Sequence, residues 1–342
     1  LDPLTQGALG AAFAQSAAES RRIRSASVLG ALSGMAPDLD VLISSSTDPL
    51  LFLEYHRHFT HALAFIPVGA LICAGVLHWF VRKRLSFGWT YLFCLLGYAS
   101  HGLLDACTTY GTQLLWPFSD MRVAWHLVSV VDPAFSVPLG IVVLLTFLRR
   151  QRIWAWIGLA WCALYLSLGY WQNQRVIAAG WELAGARGHA PLRLEAKPGF
   201  ANLLVWKLVY EYDGHYYVDA VRAGLMMQIY PGSQAQKLDP AEHLPWLSSG
   251  SVQALDLERF RWFSNDYLAI RPDNEVVDVR YSVVPNEIEP LWGIRLRPHA
   301  AEDAHVSYFT QRQAGPAALR RLLAMLAGRD PAEFQKDVIK TL

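Results

Sequence analysis

The chain has 342 residues and a formal net charge of +1; 53% of its residues are hydrophobic and only 17% are charged. The balanced charge excludes an electrostatic footprint for nucleic acid. Its cysteines (Cys73, Cys94, Cys107 and Cys162) show no CxxC spacing, which excludes a disulfide-rich secreted scaffold and a zinc knuckle.

A mean hydropathy of +0.20 places part of the chain in lipid. The apolar share is uneven, because the stretch up to Trp171 is largely apolar while the remainder alternates polar and apolar residues. Asp2 and Pro3 stand where a basic leader would be, so no cleavable signal peptide is expected and internal apolar segments must drive insertion. Thr5 to Ala18 and Ser25 to Ala36 are rich in Ala, Gly and Ser, too short to span a bilayer but suited to close helix packing. Ala62 to Val81 and Ile153 to Trp171 are long enough to span. Between them, Trp89 to Leu104 and Pro133 to Leu148 are shorter and need tilt or neighbours to cross.

Basic residues fix the orientation of these segments. Arg21, Arg22 and Arg24 follow the first, Arg82, Lys83 and Arg84 the third, and Arg149, Arg150 and Arg152 the fifth. Placing all three clusters in the cytoplasm gives one path of about six helices, with Gln172 and the residues after it outside. The expectation is an α-helical membrane bundle over residues 1–172 and a mixed β-rich extramembrane domain with C-terminal helices over 173–342. In that second part, Leu203 to Val221 around Asp213-Gly214 and Tyr267 to Tyr281 around Asp273-Asn274 read as hairpins. Leu291 to Leu296 reads as a strand, and Pro316 to Leu326 as a helix after Gly315.

The connections opposite the basic clusters collect the residues capable of chemistry. His101 and Asp105, at i and i+4, share one helix face; alone, a packing pair is the simpler reading. Three histidines, His56, His58 and His61, precede the third long segment, and Thr60 is placed to cap its helix. His56 and His61 lie about 140° apart on a helix, so they converge only if residues 56–60 form a turn. Contact with lipid headgroups is the alternative. Pro37-Asp38-Leu39-Asp40 offers alternating carboxylates of the kind a bridged metal pair needs, or equally a solvated turn. Asp132 before Pro133 reads first as a helix cap, and His78, near the basic end, as structural. Four segments thus deliver His or carboxylate to one face, and mixed His/Asp ligation suits zinc, manganese or iron. The chemistry this implies is metal-activated water attacking an ester, a phosphoester above all.

Asp2 to Gly10, Pro37 to Asp40, His56 to His61, Gly97 to Asp105, Thr109 to Phe118 and Val131 to Pro133 together resemble the YdjM-like family of inner-membrane metal-dependent hydrolases. Asp278 to Tyr281 looks like a weaker signature of the same family. The resemblance implies a multi-pass bacterial inner-membrane protein with a periplasmic C-terminal domain, distantly similar to the zinc phospholipase C and P1 nuclease group. It carries Asp38, Asp40, His56, His61, His101 and Asp105 over as metal ligands. Many relatives have Thr-His where this chain has Thr5-Gln6, so Gln6 or His58 replaces one ligand or that ligand is lost.

The sequence therefore leads to a metal-dependent phosphoesterase acting on a membrane lipid or lipid-linked substrate, with zinc the first choice of metal. Asp40 or Asp105 is expected to orient or deprotonate water, and Arg57 or Arg122 to steady a phosphate. The rival is a non-catalytic metal-binding membrane protein whose outer domain binds a partner. A transporter is disfavoured because the polar residues crowd one face.

Overall fold

A computed structural model describes residues 1–311 and 315–330. The chain divides into two compact units. The first comprises Leu1–Ile43, Tyr55–Trp171 and Phe200–Asn202, the second Ser44–Glu54, Gln172–Gly199 and Leu203 onward.

The first unit is helical. Its helices are α1 (Pro3–Ser16), α2 (Ile23–Met35), α4 (Ile66–Val81), α5 (Phe87–Ala106), α6 (Pro133–Arg149) and the first part of α7 (Ile153–Ala186); the short α3 (Leu51–Tyr55) straddles the boundary between units. Asp2 caps α1 and Asp132 caps α6, the latter as its place before Pro133 predicts. Helices α1, α2 and α5 pack against one another, with α4 against α5 and α6 against α1. Small residues set how closely they approach. A Cβ on Gly10 would meet the Gly30 carbonyl oxygen, and one on Gly97 would meet the same atom and the Ser33 hydroxyl. Any side chain there would force backbones apart, so the Gly-, Ala- and Ser-rich composition of these segments is a packing requirement.

The outer faces of α4, α6 and α7 are apolar and exposed, as at Leu71, Phe80, Ile141, Leu144, Trp156 and Leu164. That pattern inverts the surface of a water-soluble protein and suits helices facing lipid. Among the described residues, two helical stretches are long and apolar enough to cross a membrane, Leu63–Val81 and Ile153–Ala186, with Pro133–Arg149 apolar but shorter. The expected path of about six crossing helices is therefore not reproduced in full. With 14 and 13 residues, α1 and α2 extend about 20 Å against a hydrocarbon thickness of about 30 Å.

The second unit contains two four-stranded antiparallel sheets, ordered β1-β2-β3-β4 and β5-β6-β7-β8. The strands are β1 (Arg193–Pro198), β2 (Val205–Tyr212), β3 (His215–Ala223), β4 (Met227–Gln236), β5 (Leu268–Arg271), β6 (Glu275–Asp278), β7 (Trp292–Arg295) and β8 (Ser307–Thr310). The hairpins expected at Asp213-Gly214 and Asp273-Asn274 are the β2–β3 and β5–β6 turns, with all four turn residues at positive φ. Val209, Tyr216 and Val218 of one sheet share a core with Tyr267, Ala269 and Val277 near or in the other. Helices α8 (Pro240–His243) and α9 (Val252–Phe263) lie between the sheets in sequence, and α10 (Pro316–Leu326) matches the expected helix. The outer part of α7, from Gln172, belongs to this unit: Gly180 lies against Leu208 and Leu194, and Arg187 pairs with Asp219 at 2.7 Å. In the Asp278–Tyr281 signature, Arg280 chelates Asp278 in the buried interior (2.7 and 2.9 Å), a structural pair.

Candidate metal centre

Three chain segments of the first unit build the site. Pro37 ends α2 and starts a 3-10 turn, Ala36–Leu42, which turns Asp40 inward and leaves Asp38 partly open. Arg57 takes a left-handed conformation (φ 63°), and this turn between His56 and His61 brings their rings to 6.2 Å centroid separation. Helix α5 supplies His101 and Asp105 on one face, both fully buried. Expected as a helix cap, Thr60 has a different role. α4 begins only at Ile66, and the Thr60 hydroxyl instead donates to Asp40 Oδ2 (3.1 Å) while accepting from His61 Nδ1 (2.9 Å).

These contacts settle which ring nitrogens face the centre. His101 Nδ1 lies 2.6 Å from the Gly34 carbonyl, which can only accept, so Nδ1 carries the proton and Nε2 the lone pair. The relay from His61 Nδ1 through Thr60 to Asp40 does the same for His61. Both histidines therefore present Nε2 inward, oriented by a partner on the far nitrogen, as metal-ligating histidines are.

Four atoms converge at this point. His61 Nε2 and His101 Nε2 are 2.9 Å apart. Asp38 Oδ1 lies 3.5 and 3.3 Å from them, and Asp105 Oδ2 lies 3.4 and 3.6 Å away. A tetrahedral ion with ligand bonds of about 2.0–2.1 Å sets its ligands about 3.3–3.4 Å apart. The buried Asp105 Oδ2 has no well-formed hydrogen bond, although Arg57 Nε lies 3.0 Å away. The donor set, its spacing and this unsatisfied oxygen all fit a divalent transition metal held by Asp38, His61, His101 and Asp105. A second group, Asp38, Asp40 and His56, shares Asp38 with the first. His56 Nδ1 is 2.9 Å from Asp40 Oδ1, and the His56 side chain keeps 22% exposure, so this group is the more accessible.

The electrostatics point the same way. Burial works against the charged form of Asp38, but hydrogen bonds from His101 and His61 outweigh it and hold the carboxyl well below its usual range. Burial opposes Asp40 too, and His56 and His61 overcome it in the same sense. For His61, burial is outweighed by Asp105, Asp38 and Asp40, which push its pKa up to about 10, so without an ion its Nε2 holds a proton that a metal ion would displace. The carboxylates stay ionised and draw positive charge into the centre.

The other residues expected at the site have settled partners. Arg57 is buried, its Nη1 donating to Thr108 Oγ1 (2.8 Å) and its guanidinium against Asp105 and over the Tyr110 ring. Arg122 Nη2 donates to the Gly111 carbonyl (2.9 Å), and its guanidinium also lies over Tyr110. Gln6 Nε2 donates to Asp105 Oδ1 (2.8 Å), so the amide holds a candidate ligand by its nitrogen, while its own Oε1 is buried without a hydrogen bond. The ring of His58 packs against Trp116, Phe59 and Tyr55, and His58 is in neither candidate group. His78 bonds to Thr90, a contact between α4 and α5 at 3.0 Å. Thr60 and Tyr110 were missed as site residues. Both lie in stretches that carry the family resemblance, His56 to His61 and Thr109 to Phe118, but residue type alone singles out neither; the Tyr110 ring lies 5.5 Å from that of His56.

Residues 1–176 match the family described as "YdjM inner membrane protein", a match that includes every candidate ligand. The inner membrane protein YbcI of Escherichia coli (strain K12) is 33% identical over 135 residues, 37% of this chain and 75% of that protein. The uncharacterized protein YfhP of Bacillus subtilis (strain 168) is 31% identical over 98 residues, 29% of this chain and 29% of that protein. No solved structure matches.

Replacing His101 with Ala should remove bound metal, weakening affinity by more than the roughly 10–100-fold that loss of an orienting partner costs. Replacing His78 with Ala should leave metal content unchanged. Elemental analysis of the two purified variants, compared at matched folding, checks this; full metal in folded His101→Ala would make the histidine a packing residue.

Proposed function

We propose that this chain, which belongs to the YdjM inner membrane protein family, is a membrane-embedded metal-dependent hydrolase acting on a lipid or lipid-linked phosphoester. The observation that carries the reading is the pairing of two ligand groups through Asp38, one closed and one open. The closed group offers four buried or nearly buried ligands, the arrangement of a structural ion. The open group offers Asp38, Asp40 and His56 only, and three protein ligands with an accessible side are what a hydrolytic site needs. When bound there, zinc or a similar ion supplies Lewis acidity and an activated water.

The chain's own residues do the rest. Gln6 and Arg57 hold Asp105, Gly34 holds His101, and Thr60 holds both His61 and Asp40, so that the ligands are fixed before substrate arrives. As ligands of that ion, Asp40 and His56 brace each other at 2.9 Å and would position the water it activates. Arg57 is turned to Asp105, and Arg122, which already donates to the Gly111 carbonyl beside Tyr110, is the other arginine proposed to steady a phosphate. The neighbourhood supports a lipid substrate, because His61 lies just before the membrane-length stretch Leu63–Val81, where headgroups would be within reach. On the positive-inside rule the basic clusters support a periplasmic location for this face and for the chain after Gln172.

A specific observation also favours the non-catalytic reading, since His101 and Asp105 are wholly buried, as a purely structural ion would require. Replacing His56 with Ala separates the two. Hydrolysis of a lipid phosphoester in vesicles should fall to background while the closed group keeps its metal. Activity that survives His56→Ala, or an absence of metal-dependent hydrolysis in the parent protein across phospholipid classes, would favour the structural reading. Orientation is tested apart from chemistry: a reporter active only in the periplasm should work when fused after Gln172 and fail after Lys83, and the reverse would invert the topology.

A further inference from the structure

The tip of the β3–β4 hairpin carries Leu225 at 104% and Met226 at 84% relative exposure, two of the three most exposed large apolar side chains among the described residues. Contacts with α7 fix where that tip lies. Near the outer end of the helix, Arg187 pairs with Asp219 on β3 at 2.7 Å. Closer to the apolar stretch, Arg175 Nη2 donates to the Gly224 carbonyl (2.8 Å) and Gln172 Nε2 to the Ala223 carbonyl (2.7 Å). The step of twelve residues from Arg175 to Arg187 spans about 18 Å of helix, and the step of five from Asp219 to Gly224 about 17 Å of strand. β3 therefore runs back along α7, antiparallel to it, toward the apolar stretch.

Counting along α7 gives the height. From Ile153, a helix crosses a hydrocarbon core of about 30 Å in about 20 residues, emerging near Gln172. Tyr170 and Trp171, both exposed, sit there as interfacial aromatic residues do. The Gly224 carbonyl is held by Arg175, about one turn above Gln172, and Met227 pairs back with Ala223, so Leu225 and Met226 form the turn itself, no more than about one strand residue (about 3.3 Å) lower. That keeps Leu225 and Met226 at the level of the interface, where their exposed side chains can reach the headgroup/acyl boundary. Arg175 and Arg222, both half-buried beside the tip, supply the positive charge that suits phosphate headgroups.

We infer that the Leu225–Met226 hairpin tip inserts into the bilayer surface beside α7 and makes a second, peripheral attachment of the sheet domain to lipid. The inference rests on α7 crossing the membrane, as the proposed function also does.

The test uses the full chain in phosphatidylethanolamine/phosphatidylglycerol vesicles, with single photoreactive benzoylphenylalanine replacements at Met226, Leu164 and Gln236. Leu164 is exposed within the apolar stretch of α7. Gln236 is exposed and pairs with His215 at the opposite end of the same hairpin, about 30 Å from the tip. After irradiation, mass spectrometry should find lipid adducts at Met226 and Leu164 and none above background at Gln236. Adducts at Leu164 but not Met226 overturn the hairpin attachment and leave the membrane helix standing. Adducts joining Met226 to a second copy of the chain overturn it in favour of a protein contact. No adduct at Leu164 removes the membrane reading itself, and the hairpin inference with it.

Discussion

A carboxylate buried completely among apolar helices must be answered by positive charge, because the uncompensated ion costs several kcal/mol even after relaxation. Asp105 is that carboxylate here, with no exposure at all. The Arg57 guanidinium beside Oδ2 answers part of it, and Gln6 adds a neutral amide hydrogen bond to Oδ1. His61 and His101 also turn their Nε2 atoms toward Oδ2. Two imidazoles at near-tetrahedral spacing from that oxygen, with the Asp38 carboxylate beside both, make a cation the natural completion of the charge balance. Breaking such a buried arrangement by removing one partner typically costs about 3–5 kcal/mol, so the helical unit and its candidate metal centre should stand or fall together.

The rest of the first unit supports that requirement. His101 can present Nε2 only because Gly34, at the end of α2, offers its carbonyl to the far nitrogen. That contact needs α2 and α5 nearly touching, which the glycines at 30, 34 and 97 permit. Arg57 adopts a conformation that disfavours a side chain, at a cost of order 1 kcal/mol. In return its backbone N–H bonds to Asp40 Oδ2 at 2.9 Å while its guanidinium reaches Asp105. One strained residue thereby ties the turn bearing His56 and His61 to carboxylates from two other segments.

The parts legible in the sequence were those set by local chemistry. Asp-Gly and Asp-Asn turns declared their hairpins, Asp132-Pro133 declared a cap, and Gly315 with Pro316 declared α10. Less legible were features set by distant partners. β1, β4 and β8 lack a distinctive pattern and exist because neighbours hydrogen-bond them. The continuation of α7 to Ala186 crosses from apolar to polar sequence without a break, and hydropathy saw only the change of solvent. Within the candidate site, the residue types and their segments could be read directly. The role of Thr60 could not, since the same Ser/Thr signal marks a helix cap and a hydroxyl relay. Arg57 posed a similar difficulty: an arginine beside histidines suggests phosphate, and only packing shows its guanidinium turned to Asp105.

The central claim is that Asp38, His61, His101 and Asp105 surround a single ion. X-ray absorption at the zinc edge, on zinc-loaded full-length protein, measures that arrangement without reference to any substrate. The account predicts a first coordination sphere of nitrogen and oxygen at about 2.0–2.1 Å, with the outer scattering of imidazole rings and no sulfur. A sulfur-containing sphere, or oxygen ligands alone without imidazole scattering, would contradict it.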